Sequence, residues 1–595
     1  MSPSLQEISR YVVNERRRMN PSRFQLPQFV SDDLKRAREE TLRRARQRYV
    51  PKRDSPETLE TAGLRALPIS CTRLPREANF TYARFTELGL NSAWSQLNGY
   101  LAMDLSHFKA LLLPSFNART ARNTSRQYRA IFKVLSPPTI IMKRWHEDSE
   151  FGRQRLTGVN PMHLRRLPEA LDGHERLWEA SRQELLRQGR RIEDVLARKQ
   201  LFYLDYPDLE HPLVQKHLRP GAHLATPVCY FWVDGLGNLM PLAIQLKSAT
   251  VREKNPVFTP SSPYYDWMMA RAHVQAADSH VHEGTYHLLE THLVSGAVVM
   301  ALYRQVHPDH PLRQLVDPHY RYTLAINELA LGGLLAQDGT IDNALAAGVQ
   351  GTLNAARLFY GRWSFFERTP HADLEARGVD DKEALPSYYY RDDALRVYEA
   401  LRTYVESMLS LWYREDRDVE ADYELQAWVA EVSSDTDGIP GFPKRLRTCK
   451  ELFRLVTELL FRAGPQHAAV NNGQFDGYGW IPNMPGRLSV PLPDEASPKG
   501  LYTQADYWAA MPSMKSTLNQ MGMVWVLSVP TLRTLMHSGE APAFHPSLCA
   551  EAEQRISGFR RQLASISHDI ERRNQTLDIP YRYLDPQNIS RSTDI

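Results

Sequence analysis

Three histidines, His282, His287 and His292, recur at a constant interval of five in an apolar stretch that continues through Leu293, Val294, Ala297, Val298 and Val299. Imidazoles repeated so regularly raise metal binding as the first chemistry to consider. An α-helix advances about 100° per residue, which would leave His287 and His292 roughly 140° apart and unable to share an ion. A local π-bulge, bonded i→i+5, would rotate them onto one face, and such bulges concentrate at functional sites. The spacing therefore predicts a π-bulge here. It also excludes a zinc-protease helix: His282-Glu283 begins like H-E-x-x-H, but Tyr286 stands where the second histidine would be needed.

A second cluster lies far downstream, where His467 and Asn471 are followed by Gln474. Residues four apart on an α-helix share a face, so His467 and Asn471 could address one centre without distortion. Taken singly the pair is weak, and a buried, hydrogen-bonded histidine is the ordinary alternative.

Several elements must carry these residues. Residues 80–165 read as mostly helical, with apolar spacing of three and four through Leu90, Leu97, Leu101, Leu105 and Phe108. Aromatic and β-branched runs at 201–204, 228–233 and 239–246, with the turn 234–238 before the last, predict a small sheet within a helical protein, placed at about 200–246. Residues 1–60 read as a basic helical extension in which Arg16, Arg17, Arg18, Arg43, Arg44, Arg46 and Arg48 alternate with acids such as Asp32, Asp33, Glu39 and Glu40. A solvated arm is the plain reading of it; attraction to an anionic membrane is the other.

Across 595 residues a net charge of +4 gives no case for nucleic acid. Hydrophobic residues make up 42% and charged residues 24%, the balance of a globular protein, and no Gly/Ser- or Pro-rich linker divides residues 61–595. Cys71, Cys229, Cys449 and Cys549 are too scattered for a metal motif and fit a reducing compartment. No secretory signal or bilayer-spanning run is recognised, so a cytoplasmic location is expected.

The ladder, the preceding Trp267-Met268-Met269-Ala270-Arg271 and Ala277-Asp278, the following His310-Pro311, Pro318-His319-Tyr320-Arg321 and Ile326-Asn327, and the string from His467 to Gln474 together resemble the lipoxygenases. The likeness runs from about Leu74 to Ile595 and implies a mainly α fold: a large helical catalytic domain with a small antiparallel β subdomain, in a form without the N-terminal β-sandwich. It implies a non-haem iron held by His287, His292, His467, Asn471 and the main-chain carboxylate of the terminal Ile595, with His282 and Gln474 beside them. His310 and His319 read as structural. Two prolines, Pro580 and Pro586, fit an extended tail rather than a helix, while the polar residues from Ser590 to Asp594 depart from the usual tail. Nitrogen and oxygen ligands in this number suit iron rather than structural zinc, with manganese the less favoured choice. A single carboxylate gives ferric hydroxide and ferrous water the same formal charge, so a hydrogen atom can move without changing the buried charge.

The activity implied is dioxygenation of a polyunsaturated fatty acid bearing a cis,cis-1,4-pentadiene. Ferric hydroxide accepts the hydrogen, dioxygen adds to the opposite face, and no side chain acts as a base. By position, Leu288, Leu293, Ile326, Leu334, Leu335 and Leu527 match pocket-lining residues, and Ser279, Ala344, Leu345 and Met523 fall near those that set its depth. Residues 151–161 resemble a segment that closes the cavity. Ala330 stands where the family generally has alanine for S products and glycine for R products, so an S hydroperoxide is expected. Two other readings use the same chain: a fatty-acid hydroperoxide isomerase, and a non-catalytic lipid-binding scaffold.

Overall fold

In the computed structural model, residues 24–52, 64–68, 71, 73–112, 125–247, 255–435, 438–493, 500–530, 533–537 and 548–595 are described, with backbone alone over 103–112. Of the expected basic extension, residues 1–23, which include Arg16, Arg17 and Arg18, and residues 53–60 lie outside them. The helix α1 (Asp32–Arg48) starts where Ser31 accepts a hydrogen bond from the Leu34 amide, and its acids at the start and arginines at the end complement the helix dipole. It is docked rather than a free arm: Arg38 is buried and grips both Glu424 carboxylate oxygens at 2.8 and 3.1 Å. The Arg304 guanidinium reaches the carbonyls of Arg46 and Tyr49.

The helix α2 (Tyr82–Leu112) follows. The sequence places a helix here correctly, but Leu90, Leu97 and Leu101 face outward rather than into a core. The side chains of Leu105 and Phe108 lie outside the described ones. Next, α3 (Asp148–Thr157) leads to a sheet whose strands, β1 (Arg165–Arg166), β2 (Leu201–Asp205), β3 (Val228–Val233), β4 (Leu239–Gln245) and β5 (Val257–Phe258), pair antiparallel in chain order. The β3–β4 turn is held by the Asp234 carboxylate, which accepts from the amides of Leu236 and Asn238, and by Gly237 at φ 83°. Pro241 lies in β4 beside a register shift at Tyr230 and Phe231, an irregularity that tolerates a residue with no N–H. The edge strands β1 and β5 are two residues each and carry no sequence signal of their own.

The helical body is built around α4 (Tyr264–Val281), a π-helical segment His282–Leu293 and α5 (Val294–Gln305), joined end to end and buried almost throughout. Burial on every side requires small or apolar residues all round, as Ala270, Ala272, Ala276 and Ala277 provide. Two charged residues on α4 are paired. Arg271 donates to the carbonyls of Trp145, His146 and Glu147, and Asp278 accepts from Arg155 at 2.6 Å, Asn160 at 2.7 Å and Tyr206 at 3.1 Å. Residues 151–161 thus brace the rod before its π-helical part and, contrary to expectation, none lines the cavity beside that part. Gly152 is needed there, because a Cβ would fall 1.7 Å from the Leu239 carbonyl oxygen.

Later elements close around the rod: α6 (Thr323–Gly332), α7 (Thr340–Ala344), α8 (Gly348–Tyr360), α9 (Cys449–Phe461), a π-helical turn Arg462–Gln466, α10 (His467–Asn471) and α11 (Met514–Leu527). After a last helix, Cys549–Asn574, the tail turns inward and every residue from Ile589 to Ile595 is buried. The architecture is mainly α with one small antiparallel sheet, and no β-sandwich occurs among the described residues.

Candidate metal centre

The expected π-bulge is a π-helical segment twelve residues long, His282–Leu293. Its i→i+5 geometry sets the Nε2 atoms of His287 and His292 3.2 Å apart. A second π-helical stretch, Arg462–Gln466, precedes His467; Pro465 within it has no amide hydrogen for α-helical bonding. His467 then completes a triangle in which ring centroids lie 4.9 Å apart for His287–His292, 5.0 Å for His292–His467 and 5.5 Å for His287–His467.

The ring nitrogens are arranged to leave one face open. His287 Nδ1 meets the Glu283 carboxylate at 3.2 Å and His292 Nδ1 meets Asn327 Oδ1 at 3.0 Å, which fixes each ring with Nε2 toward the centre. His467 is fully buried and neither ring nitrogen has a well-aligned hydrogen-bond partner, although the Ile595 main chain stands at the edge of the ring. Burial, then the neighbouring His287 ring, pushes His292 down to about 3; burial, then His292 and His287, pushes His467 well below the ordinary imidazole range. Both are neutral imidazoles, the form that ligates metal. Facing Nε2 lone pairs and an orphaned buried ring are costly unless a cation joins them, so the donor set fits a metal ion.

The other expected residues fall into three groups. Asn471 lies one turn beyond His467, its amide oriented by donation to the Leu527 carbonyl at 2.7 Å, and Gln474 Nε2 reaches Asn471 Oδ1 at 3.1 Å and comes within 3.5 Å of His287 Nδ1. Ile595 is buried and lines the same cavity as His287 and His292. His282 is spent elsewhere, with Nε2 on the Val470 carbonyl at 2.7 Å and Nδ1 on the Tyr478 hydroxyl at 2.8 Å. His310 is remote, paired with Asp422 at 2.9 Å, while His319 is buried against the main chain of Arg591 in the tail.

A cavity of about 750 Å³ opens beside the triangle, within the usual range of small-molecule sites. Leu288, Leu293, Ile326, Ala330, Leu334, Leu335, Met523 and Leu527 line it. Ser279, Ala344 and Leu345 do not. The Ser279 hydroxyl turns back to the Gln275 carbonyl, and Ala344 and Leu345 pack at Gly486, where a Cβ would come within 2.5 Å of the Ala344 carbonyl.

Two contributors were not singled out from sequence: Glu283 and Asn327, which orient His287 and His292. Glu283 precedes His287 by four, a helical-face relation that could have marked it, whereas Asn327 comes from another helix. The polar tail is also accounted for. Ser590 bonds the Asp594 carboxylate at 2.9 Å, Ser592 the Arg321 carbonyl at 3.0 Å and Thr593 the Ala463 carbonyl at 3.0 Å. Gly464 lets this tail pass, since a Cβ there would meet the Ser590 carbonyl oxygen at 3.0 Å.

Fold and site together define a mainly helical protein whose three-histidine cluster borders a buried apolar cavity. The family model for lipoxygenases matches residues 31–586. Hydroperoxide isomerase ALOXE3 of Mus musculus is 35% identical over 459 residues, 76% of this chain but 63% of that protein, so the chain spans just under two thirds of this relative. The polyunsaturated fatty acid lipoxygenase ALOX15B of Rattus norvegicus is 34% identical over 502 residues, 82% of this chain and 71% of its own length. Among solved structures, a LOX deletion variant in complex with arachidonate superimposes with a TM-score of 0.84 at 26% identity, covering 96% of this chain and 83% of that one. Coral 8R-lipoxygenase gives 0.80 at 26% identity, over 96% and 83%. The chain belongs to the lipoxygenase family.

Proposed function

We propose that this protein is a lipoxygenase in activity as well as family, converting polyunsaturated fatty acyl chains and dioxygen to S hydroperoxides. The observation that carries the reading is the three-imidazole cluster bordering an apolar cavity, with the buried C-terminal Ile595 in the same wall. His287, His292, His467, Asn471 and the Ile595 carboxylate would hold one iron ion. Bound there, iron supplies the one-electron chemistry that removes a hydrogen atom from a doubly allylic carbon.

The chain does the rest by placement. Leu288, Leu293, Ile326 and Leu527 hold the pentadiene and exclude water, which favours an apolar substrate over a polar one. Glu283 and Asn327 keep the Nδ1 protons of His287 and His292 and so aim both Nε2 lone pairs inward. Ala330 borders the cavity, and the S assignment rests on its identity as alanine. The relative named hydroperoxide isomerase favours a second reading, isomerisation of fatty-acid hydroperoxides at the same site.

Iron-loaded protein incubated with linoleate, with and without dioxygen and monitored for conjugated diene absorbance, tests both. Dioxygen-dependent diene supports the dioxygenase. Absence of diene together with consumption of an added hydroperoxide supports the isomerase, and inertness toward both refutes the two readings.

A further inference from the structure

The π-helical segment His282–Leu293 carries two of the three clustered histidines, and the third, His467, opens the element that follows the π-helical turn Arg462–Gln466. The rings of His287 and His292 are each fixed by a side-chain partner, whereas the His467 ring has none that is well aligned. Its place must be set by its backbone. That backbone is irregular: Pro465 offers no amide hydrogen, and the His467 amide bonds the Gly464 carbonyl, three residues back.

Two hydrogen bonds flank His467 and lace its stretch of chain to the segment that holds the other two histidines. On one side the Val470 carbonyl meets His282 Nε2 at 2.7 Å. On the other, Gln466 Nε2 donates to the Glu290 carboxylate at 2.8 Å. Glu290 lies between His287 and His292 in the chain and Gln466 immediately precedes His467, so this second bond ties neighbours of all three.

Both partners are buried, Glu290 completely. Its carboxylate accepts from two further donors, Trp363 Nε1 at 2.9 Å and Arg368 Nε at 2.8 Å. Behind them Arg368 pairs with Asp373, which accepts from Arg377 at 2.9 Å, and Arg377 anchors on the Leu164 carbonyl at 2.8 Å. Two acids and two arginines balance, so the buried charge is compensated. Stability alone does not demand such a row, because apolar residues in place of a buried ion pair are often as stable or more so. What the row gives Glu290 is a fixed orientation, with donors from two other stretches of chain already on its carboxylate. Gln466 is less constrained: its Oε1 is buried without a partner, and apart from Glu290 its Nε2 reaches the Met162 sulfur at 3.9 Å. Neither Glu290 nor Gln466 is among the described residues that line the cavity.

We propose that Glu290 is a positioning residue for the metal centre: anchored by Trp363 and Arg368, its carboxylate holds Gln466 and so sets the His467 imidazole against those of His287 and His292. This role rests on the metal centre of the lipoxygenase reading above.

The test compares the full chain with two variants. Gln466→Met keeps the length of the side chain, removes the donor and leaves Glu290 its bonds with Trp363 and Arg368. In Glu290→Gln the Gln466 amide can turn over so that its unused Oε1 accepts from the new amide, which restores the bridge. Gln466→Met should fold, with a metal-free unfolding midpoint near that of the wild type, yet hold iron about 10–100-fold more weakly against a chelator. Fully loaded and ferric, it should give an altered electron paramagnetic resonance spectrum, and with linoleate kcat should fall while KM holds. Glu290→Gln should keep iron affinity within about threefold of the wild type, and its spectrum. Wild-type affinity and spectrum in Gln466→Met overturn the proposal and leave the three-histidine centre standing. A lowered metal-free midpoint with unchanged affinity and spectrum also overturns it, assigning the bond to folding alone. So does a loss in Glu290→Gln as large as in Gln466→Met, which would give control to the charge at 290 and not to the bridge. If Gln466→Met does not fold, Gln466→Asn, one methylene shorter, takes its place with the same expectations. Iron affinity decides the matter even where linoleate is inert, in which case the dioxygenase reading alone falls. A wild type that takes up no iron overturns the metal centre, and the proposal with it.

Discussion

Replacing Arg84 by methionine should loosen the metal without unfolding the protein. Arg84 is the link between α2 and the C-terminal tail. It donates to the Asp594 carbonyl at 2.9 Å, lies 3.7 Å from the Asp594 carboxylate and pairs with the partly exposed Glu87. A hydrogen bond from a charged donor to a buried carbonyl is worth about 1.5–3 kcal/mol, and the Glu87 pair adds under about 1 kcal/mol because solvent screens it. A loss of about 2–3 kcal/mol in tail docking raises the released-tail population roughly 30–150-fold. Ile595 is the next residue, so transfer of iron to a strong chelator should accelerate by that order. The circular dichroism spectrum and unfolding midpoint should change little, since tail release is local. Arg84→Lys, which keeps a cation, should recover part of the effect. Chelation of Arg84→Met at the wild-type rate, with an intact spectrum, would refute the link between this arginine and the metal.

Ala330→Gly should shift the product from S toward R, read by chiral chromatography; an unchanged S product would remove Ala330 from stereocontrol. Arg38→Ala leaves Glu424 charged and buried and should cost about 3–5 kcal/mol in urea unfolding, so a loss below about 1 kcal/mol would show that α1 is not anchored there. Burial pushes the Asp393 carboxyl up to about 6, although Arg573 pairs with it at 2.7 Å. The folded state therefore holds a proton that the unfolded state releases from about pH 4, and this group's contribution to stability falls as pH rises to about 6, then levels. The stability of Asp393→Asn relative to wild type should climb over that window, and a difference independent of pH would contradict the shift.

The ladder was legible because a five-residue interval is incompatible with one face of an α-helix, and the resolution is a π-helical segment much longer than a bulge. The three main strands were legible from their aromatic and β-branched runs and the Asp234 turn, whereas β1 and β5 are pairings of two residues made by tertiary placement. Spacing identified α2 as a helix but could not orient it, because apolar periodicity marks a face and not what covers it. Asn327 escaped notice as the partner of His292 because the two are 35 residues apart and no local pattern couples them. The polar tail departed from expectation at positions where buried hydrogen bonds to Ala463, Arg321 and Asp594 hold it in place.

The most direct test is the iron content of the purified chain after loading, beside His467→Ala. His467 has no other well-aligned hydrogen-bond partner for its ring, so removing it should delete a ligand and break no well-aligned hydrogen bond. One iron per wild-type chain and essentially none in the variant is the expected result. Equal iron in both proteins would contradict the three-histidine centre on which the proposed activity depends.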